Sequence, residues 1–251
     1  MNFFSLVAGK VIAESSGAGS SGADTRLKEL VEGTMTELVD DTITEIGKRA
    51  FYYNQYLAKV ELPNCTKIGE YAFTNSNVET VVLPKVETMG TSPFLYCEKL
   101  TDVDLPNCEN ITSTAFKGID TLENINILGC KTLGKEAISG CTSLKNINLP
   151  NCTTIGESAF SGCKALESVD LGSATTISKS AFNSCAKLTT LIIRTNQVAS
   201  AVSTTLTYSA IASGTGYIYV PDDLVEDYKV TNIWSSYADQ IKGLSELDGV
   251  I

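Results

Sequence analysis

Apolar and polar residues alternate in a short pattern that recurs along most of the chain. Each copy reads Leu-x-x-Val/Ile-x-Leu/Ile, and its last two apolar positions lie two residues apart, the spacing of a strand with one buried face. The copies occupy residues 57–62, 100–105, 122–127, 144–149, 166–171 and 188–193. Proline follows several copies and, because it lacks a backbone N–H, ends the strand pairing there. The pattern therefore predicts a series of short strands.

These strands belong to a tandem repeat of nearly fixed period. Each unit opens with an aliphatic residue and usually glycine, an Ala-Phe pair follows three residues later, cysteine is common next, and several units close with Pro-Asn-Cys. The units start at Ile46, Ile68, Met89, Ile111, Leu133, Ile155 and Ile177, in steps of 22, 21, 22, 22, 22 and 22 residues. A period of about 20–29 residues is typical of a leucine-rich-repeat solenoid. Stacked units share one core because no single unit can bury its apolar stripe alone.

The full motif, Leu-Pro-x-Cys-x-x-Ile-Gly-x-x-Ala-Phe-x-x-Cys, resembles the BspA-like class of leucine-rich repeats over about residues 30–194. That resemblance implies a curved β-solenoid and an adhesive role. The second unit is one residue short and lacks its cysteine, and three others depart from the motif at Pro93, Thr112 and Ile138. We expect these departures to alter local geometry without changing the fold.

The predicted fold is a mainly β leucine-rich-repeat solenoid with one parallel sheet of about seven or eight short strands. The returns between strands are expected to be short helices or irregular, and small helices are expected in a C-terminal cap. The predicted divisions are an N-terminal apolar peptide with a Gly/Ser linker (1–23), the solenoid (24–194) and the capping segment (195–251).

The N-terminal peptide is apolar at Phe3, Phe4, Leu6 and Val7, and Lys10 interrupts the run. It is too short to span a membrane and lacks the basic start of a secretory signal. A short apolar peptide on a flexible Gly/Ser linker is the layout of a docking tag, so these residues are predicted to bind a protein partner. A disordered tail without a role and a cleaved signal peptide are the open alternatives.

The C-terminal segment carries a second resemblance, in the spacing Tyr-Val-Pro-x-x-x-Val-x-x-Tyr-x-x-x-x-x-Trp that ends at Trp234. This pattern is similar to the closing segment of repeat proteins from gut Firmicutes and their prophages. The resemblance implies that the chain is displayed on a phage virion. A secreted or cell-surface bacterial protein is the alternative location.

Composition narrows the chemistry. The net charge of −10 disfavours binding to nucleic acid and to anionic membranes. The chain has no histidine, which excludes His-dependent catalytic triads and His-based metal sites. Its glycines follow the repeat and match no phosphate-binding loop. We therefore predict no enzyme activity, no cofactor and no metal site.

The eight cysteines fall into two columns of the repeat. The columns are Cys65, Cys108, Cys130, Cys152 and Cys97, Cys141, Cys163, Cys185. No Cys-x-x-Cys pair occurs, and no four of them converge as a zinc site requires. We expect buried free thiols that pack as small apolar groups. Disulfides between neighbouring coils and reactive thiols are the alternatives.

The outward positions of the strands form the candidate binding surface, on the expected concave face of the sheet. The selected residues are Glu61, Asp102, Asp104, Asn126, Asn148 and Asp170. Short polar groups about 4.8 Å apart can bond the hydroxyls of a glycan, a protein or a hard cation such as calcium. Alternatively, they bond one another on a solvated surface. The predicted function is a binding or adhesion module, with a purely structural virion role and a secreted adhesin as alternatives; homo-oligomers remain open.

Overall fold

The structure is a computed structural model that describes residues 35–202, 204–231 and 233–247, together with the backbone of residues 3–7 and 10–14. Most of its strands are two or three residues long, and turns connect them. In chain order these are β1 (Phe3–Val7), β2 (Lys10–Glu14), β3 (Glu37–Val39), β4 (Glu45–Ile46), β5 (Lys59–Glu61), β6 (Lys67–Ile68), β7 (Thr80–Val82), β8 (Thr88–Met89), β9 (Asp102–Asp104), β10 (Asn110–Ile111), β11 (Asn124–Asn126), β12 (Thr132–Leu133), β13 (Asn146–Asn148), β14 (Thr154–Ile155), β15 (Ser168–Asp170), β16 (Thr176–Ile177), β17 (Thr190–Ile192), β18 (Tyr217–Val220) and β19 (Ile241–Gly243).

The repeat winds into a parallel β-solenoid, which confirms the predicted fold. The three-residue strands lie on one side, in the orders β3-β5-β7-β9-β11 and β13-β15-β17-β18-β19. The two-residue strands form a second parallel side, in the orders β2-β4-β6-β8 and β10-β12-β14-β16. This second side was not predicted, because two residues are too few to show an alternating pattern. Each coil therefore contributes one strand to each side.

The core between the two sides is a set of columns, one residue per coil. The central residue of each three-residue strand points inward, and Val60, Val81 and Val169 are fully buried. The phenylalanine column stacks ring on ring, with centroids 4.8 Å apart for Phe51 and Phe73 and 5.0 Å apart for Phe73 and Phe94. The apolar stripe of each unit is thus buried against the same stripe of its neighbours, as the solenoid hypothesis requires.

The glycine column is explained by the close approach of successive coils. A Cβ added to Gly156 would lie 2.6 Å from the backbone carbon of Gly134, closer than real contacts allow. Thr112 occupies this column, and the two-residue side is interrupted there, between β8 and β10. The Thr112 hydroxyl donates a hydrogen bond of 2.7 Å to the carbonyl of Gly90. Ser178 occupies the same column with an unbranched side chain, and its backbone N–H still donates to the Ile155 carbonyl. The interruption therefore coincides with the branched side chain of Thr112.

The coil geometry continues past residue 194, where the sequence period ends. Ser200 bridges to Thr176, and the Phe182 N–H donates to the carbonyl of Thr205, as in the coils before it. Strand β18 lies in this segment, and the predicted small helices follow as a 3-10 turn (Asp222–Leu224), helix α1 (Val225–Val230) and two further 3-10 segments (Trp234–Gln240 and Leu244–Glu246). These elements close the end of the solenoid.

At the other end, the backbone of β1 and β2 forms an antiparallel hairpin, and β2 pairs in parallel with β4. The apolar peptide predicted to dock elsewhere therefore has part of its backbone paired with the solenoid. The side chains of Phe3, Phe4, Leu6 and Val7 lie outside the described residues. The Gly/Ser linker is also outside them. Docking through these side chains stays a prediction.

Candidate functional site

The candidate site is the outer surface of the three-residue strands, and its acidic and amide groups bond across neighbouring coils. The Asn124 side-chain amide donates to the Asp102 carboxylate at 2.7 Å, and the Asn126 amide donates to Asp104 at 2.7 Å. Asp102 also accepts a hydrogen bond of 2.6 Å from the Thr101 hydroxyl. The predicted ladder therefore exists between β9 and β11. Three of the six predicted residues lie in it.

The other predicted residues are engaged differently. Glu61 pairs with Lys59 on its own strand at 2.9 Å. Asp170 holds the Arg194 guanidinium at 2.8 Å and is largely buried beneath it. Asn148 has no side-chain partner among the described residues. The ladder predicted to run from Asp104 to Asp170 is thus broken at its centre, between Asn126 and Asn148.

That break is an opening in the sheet, which we call the slit: the gap between residues 123–127 and 145–149. In a closed pair of coils, the Leu105 N–H donates to the Asn126 carbonyl at 2.8 Å, and the Leu149 N–H donates to the Asp170 carbonyl at 2.8 Å. The equivalent bond from Ile127 to Asn148 is missing within the described chain, and β11 and β13 belong to different sheets. Most Cα pairs between β11 and β13 lie more than 8 Å apart.

The same two coils remain joined on their other sides. The Phe116 N–H donates to the Ala137 carbonyl at 2.7 Å, and the Gly156 N–H donates to the Leu133 carbonyl at 2.8 Å. The slit is therefore a local parting of one side and not a break in the solenoid. Two open cavities of about 390 and 520 Å³ lie beside it and share Glu123, Asn124 and Asn146 in their linings.

The core shows through this slit. Ile125, the central residue of β11, is half-buried, and Ile147 on β13 retains 6% exposure, whereas the equivalent Val60 and Val81 retain none. Both lips carry the same triplet, Asn-Ile-Asn. An apolar floor between two rows of amides is suited to a partner with both apolar and hydrogen-bonding groups.

A second exposed feature lies on the first coils and was missed by the sequence analysis. The Arg49 guanidinium lies 5.4 Å from the Tyr52 ring centroid and 5.7 Å from the Tyr71 centroid. Tyr53 packs edge-on against Tyr52 at 4.6 Å and is 58% exposed. The density of tyrosine between residues 52 and 56 was the available signal, but these residues fall outside the strands on which the search was focused.

The cysteines take no part in either surface. All eight are buried free thiols, which confirms the prediction. Burial raises the pKa of Cys97 and of Cys163 to about 12, far above the ordinary thiol value. Each of these two thiols donates to a backbone carbonyl, Cys97 to Phe73 at 2.9 Å and Cys163 to Ile138 at 3.1 Å. Such thiols act as packing groups, because the thiolate is the reactive form.

The described part of the chain contains no cluster of three or more His, Cys, Asp or Glu side chains that could hold a metal ion. Within the same residues no helix has the length and hydropathy needed to cross a membrane. The arrangement offers hydrogen-bonding groups and apolar surface. These are the groups with which a protein surface binds a ligand.

Comparison with known proteins identifies the repeat. The family model for the BspA type leucine rich repeat region matches six copies, over residues 34–132 and 109–215. A search of curated protein sequences finds no match. No enzyme family is indicated by the matched repeat.

Solved leucine-rich-repeat structures are similar to this chain. A leucine-rich repeat protein from Bacteroides ovatus is similar with a TM-score of 0.52 and 19% identity, covering 84% of this chain and 54% of that one. The leucine-rich repeat protein of T. pallidum has a TM-score of 0.45 and 26% identity, covering 60% of this chain and 65% of its own. A leucine rich cell surface protein from Faecalibacterium prausnitzii has a TM-score of 0.34 and 21% identity, covering 68% and 62%.

This chain therefore spans only about half the length of the Bacteroides ovatus protein that it matches. At these identities the likeness concerns the fold. The family rests on the repeat copies, which together extend over residues 34–215 of 251. The chain belongs to the BspA-type leucine-rich-repeat family.

Proposed function

We propose that this protein is a non-catalytic binding module that contacts a bacterial surface ligand, a protein or a glycan, through its three-residue strand side. The observation that carries the proposal is the contrast within each strand. Central residues such as Val103 are sealed in the core, while the flanking Asp102, Asp104 and Asn126 present carboxylate and amide groups outward. A run of such groups on a rigid scaffold is preorganised for hydrogen bonding, so a ligand need not order it on binding.

A charge reversal tests whether this side makes the contact. Asp104→Lys with Asp170→Lys changes the net charge by +4 on the proposed surface. The matched control, Glu109→Lys with Glu157→Lys, makes the same change at exposed carboxylates that pair with Lys131 and Lys135 elsewhere on the solenoid. Flow cytometry of the labelled protein on a panel of bacterial cells should show binding lost in the first double variant and retained in the control. Equal loss or equal retention would refute the assignment of the surface.

We further propose display on a phage or prophage virion, with a secreted or cell-surface adhesin as the alternative. The supporting observation is the C-terminal pattern from Tyr219 to Trp234, whose Tyr219, Tyr228 and Trp234 lie in β18, helix α1 and the following 3-10 segment. Mass spectrometry of purified particles and of the cell-surface fraction from the source culture separates the two locations. Peptides of this chain in particles support the virion. Peptides confined to the surface fraction support the adhesin.

A purely structural virion role makes a different prediction. It requires the chain in particles but no binding to cells by either the parent protein or the control variant. The two measurements together therefore distinguish all three functions.

A further inference from the structure

We propose that the slit between β11 and β13 is an acceptor site for an extended peptide, which inserts as an additional parallel strand. This inference deepens the proposed function, on which it rests, by naming the position and the ligand class. The groups that form this site belong to the backbone, and their positions do not depend on the outward carboxylates of the proposed binding surface.

The backbone N–H groups that face the slit have no partners among the described residues. In a parallel ladder, N–H groups of alternate residues point to opposite neighbours. On β11, the N–H groups of Asn124 and Asn126 point toward β9, so those of Ile125 and Ile127 point into the slit. On β13, the Leu149 N–H donates to the Asp170 carbonyl on β15. The N–H groups of the alternate residues Asn146 and Asn148 therefore point the other way, into the slit.

The separation of β11 and β13 decides what could fill the slit. Paired strands lie about 4.8 Å apart, so a strand inserted between two others requires about 9.6 Å. Most Cα pairs of β11 and β13 are separated by more than 8 Å, which is too far for direct pairing and leaves the two lips further apart than one strand spacing. Because donors and acceptors recur at strand spacing on both lips, the ligand that satisfies them all is another polypeptide backbone.

The inserted strand, or guest, must also carry a matching side-chain pattern. Its inward residue would meet Ile125, which is half-buried at the slit, and the buried Ile147. Its outward residues would lie between the amides of Asn126 and Asn148, and the Asn148 amide has no partner among the described residues. A guest that alternates small polar and β-branched apolar residues fits both requirements. The solenoid's own strand Asn146–Asn148 has this pattern.

The probe is accordingly a synthetic peptide with the sequence of residues 144–150, Leu-Lys-Asn-Ile-Asn-Leu-Pro, acetylated and amidated at its ends. Amide hydrogen exchange of the full chain is followed by NMR with and without the peptide. Without it, the amides of Ile125, Ile127, Asn146 and Asn148 should exchange faster than that of Leu105, which bonds across a closed pair. At ten times the dissociation constant, the peptide should slow the four slit amides about tenfold.

Two matched comparisons identify backbone pairing as the cause. Asn148→Pro removes one N–H that points into the slit and should weaken peptide binding at least tenfold, whereas Asn148→Ala keeps the N–H and should bind within about threefold of the parent. The same peptide with N-methyl groups at alternate residues tests the guest side and requires no change in the protein. It should fail to protect the slit amides.

Three results would overturn the inference. Slit amides already protected without peptide would mean that β11 and β13 pair in solution. Equal protection by the N-methylated peptide would exclude strand pairing. Protection by a chitin oligosaccharide and not by the peptide would make the slit a glycan site. Failure here is separable from failure of the proposed function, because cells could still bind the parent and control proteins through the carboxylates without any change at the slit amides.

Discussion

Removal of one ring from the phenylalanine column should destabilise the solenoid strongly. Phe73 is fully buried between Phe51, at 4.8 Å and 15° between ring planes, and Phe94, at 5.0 Å and 7°. Replacement of a core phenylalanine by alanine costs about 3–5 kcal/mol, and each stacked pair adds about 0.5–1.5 kcal/mol beyond the buried area. The measured range for core phenylalanines already includes such contacts, and Phe73→Ala removes two stacks, so we expect a loss in its upper half, about 4–5 kcal/mol of unfolding free energy.

The control is Phe182→Ala, which is also fully buried but stacks on Phe160 alone, at 5.2 Å. Its cost should be smaller by about 1 kcal/mol, the contribution of one stacked pair. Urea unfolding measures both variants. With a slope of about 3 kcal/mol per molar for a chain of this size, Phe73→Ala should lower the midpoint by more than about 1 M.

Two probes show where the damage occurs. Far-ultraviolet circular dichroism reports all coils, whereas fluorescence of Trp234, the one tryptophan, reports the C-terminal cap. Because coils contact only their neighbours, a weakened second coil can unfold before the cap, and the dichroism transition of Phe73→Ala should then precede the fluorescence transition. A loss below about 1 kcal/mol, or equal losses in the two variants, would refute the stacking argument.

Two further predictions concern the glycine column and the thiols. Gly156→Ala places a Cβ 2.6 Å from the Gly134 backbone and should cost about 1–3 kcal/mol in thermal unfolding. Gly162→Ala, with a nearest contact of 3.9 Å and φ of +76°, should cost only about 1 kcal/mol, and the reverse order would contradict the close-approach argument. For Cys163, burial raises the folded pKa to about 12 from 9.0, so its stabilisation is complete below pH 9 and is lost as the pH rises toward 12. Urea titrations should show little difference near pH 8, whereas between about pH 9.5 and 10.5 the parent should lose up to about 1.4 kcal/mol per pH unit more than Cys163→Ala; equal slopes there would exclude this linkage.

The solenoid could be predicted from sequence because every coil repeats the same buried positions. Each aliphatic and phenylalanine column occupies one place in the core, so the period alone determines which residues meet. The buried thiols followed from the same logic. The second strand side could not be read from the sequence, because two-residue strands such as β12 and β14 are held by backbone bonds between coils and leave no alternating pattern.

The slit could not be predicted from the sequence, for a different reason. Its lips, Asn124–Asn126 and Asn146–Asn148, carry the same three residues, and the sequence therefore predicts that they pair as an amide ladder. Whether neighbouring strands pair depends on the stacking of whole coils, which the repeat pattern treats as uniform. A local departure from that uniformity is visible only in the structure, although Asn126 and Asn148 had been selected as surface residues.

The two proposals give different roles in binding to the outward carboxylates and to the groups that line the slit. Most of its outward carboxylates are already satisfied within the chain, Asp104 by Asn126 and Asp170 by Arg194. A ligand that displaced those partners would gain little, because it would exchange one hydrogen bond for another. The slit groups have no such partners among the described residues, so a ligand there displaces water alone and leaves no protein group without its partner. Most of the binding free energy should therefore come from the slit, while the carboxylates select the charge of the approaching partner.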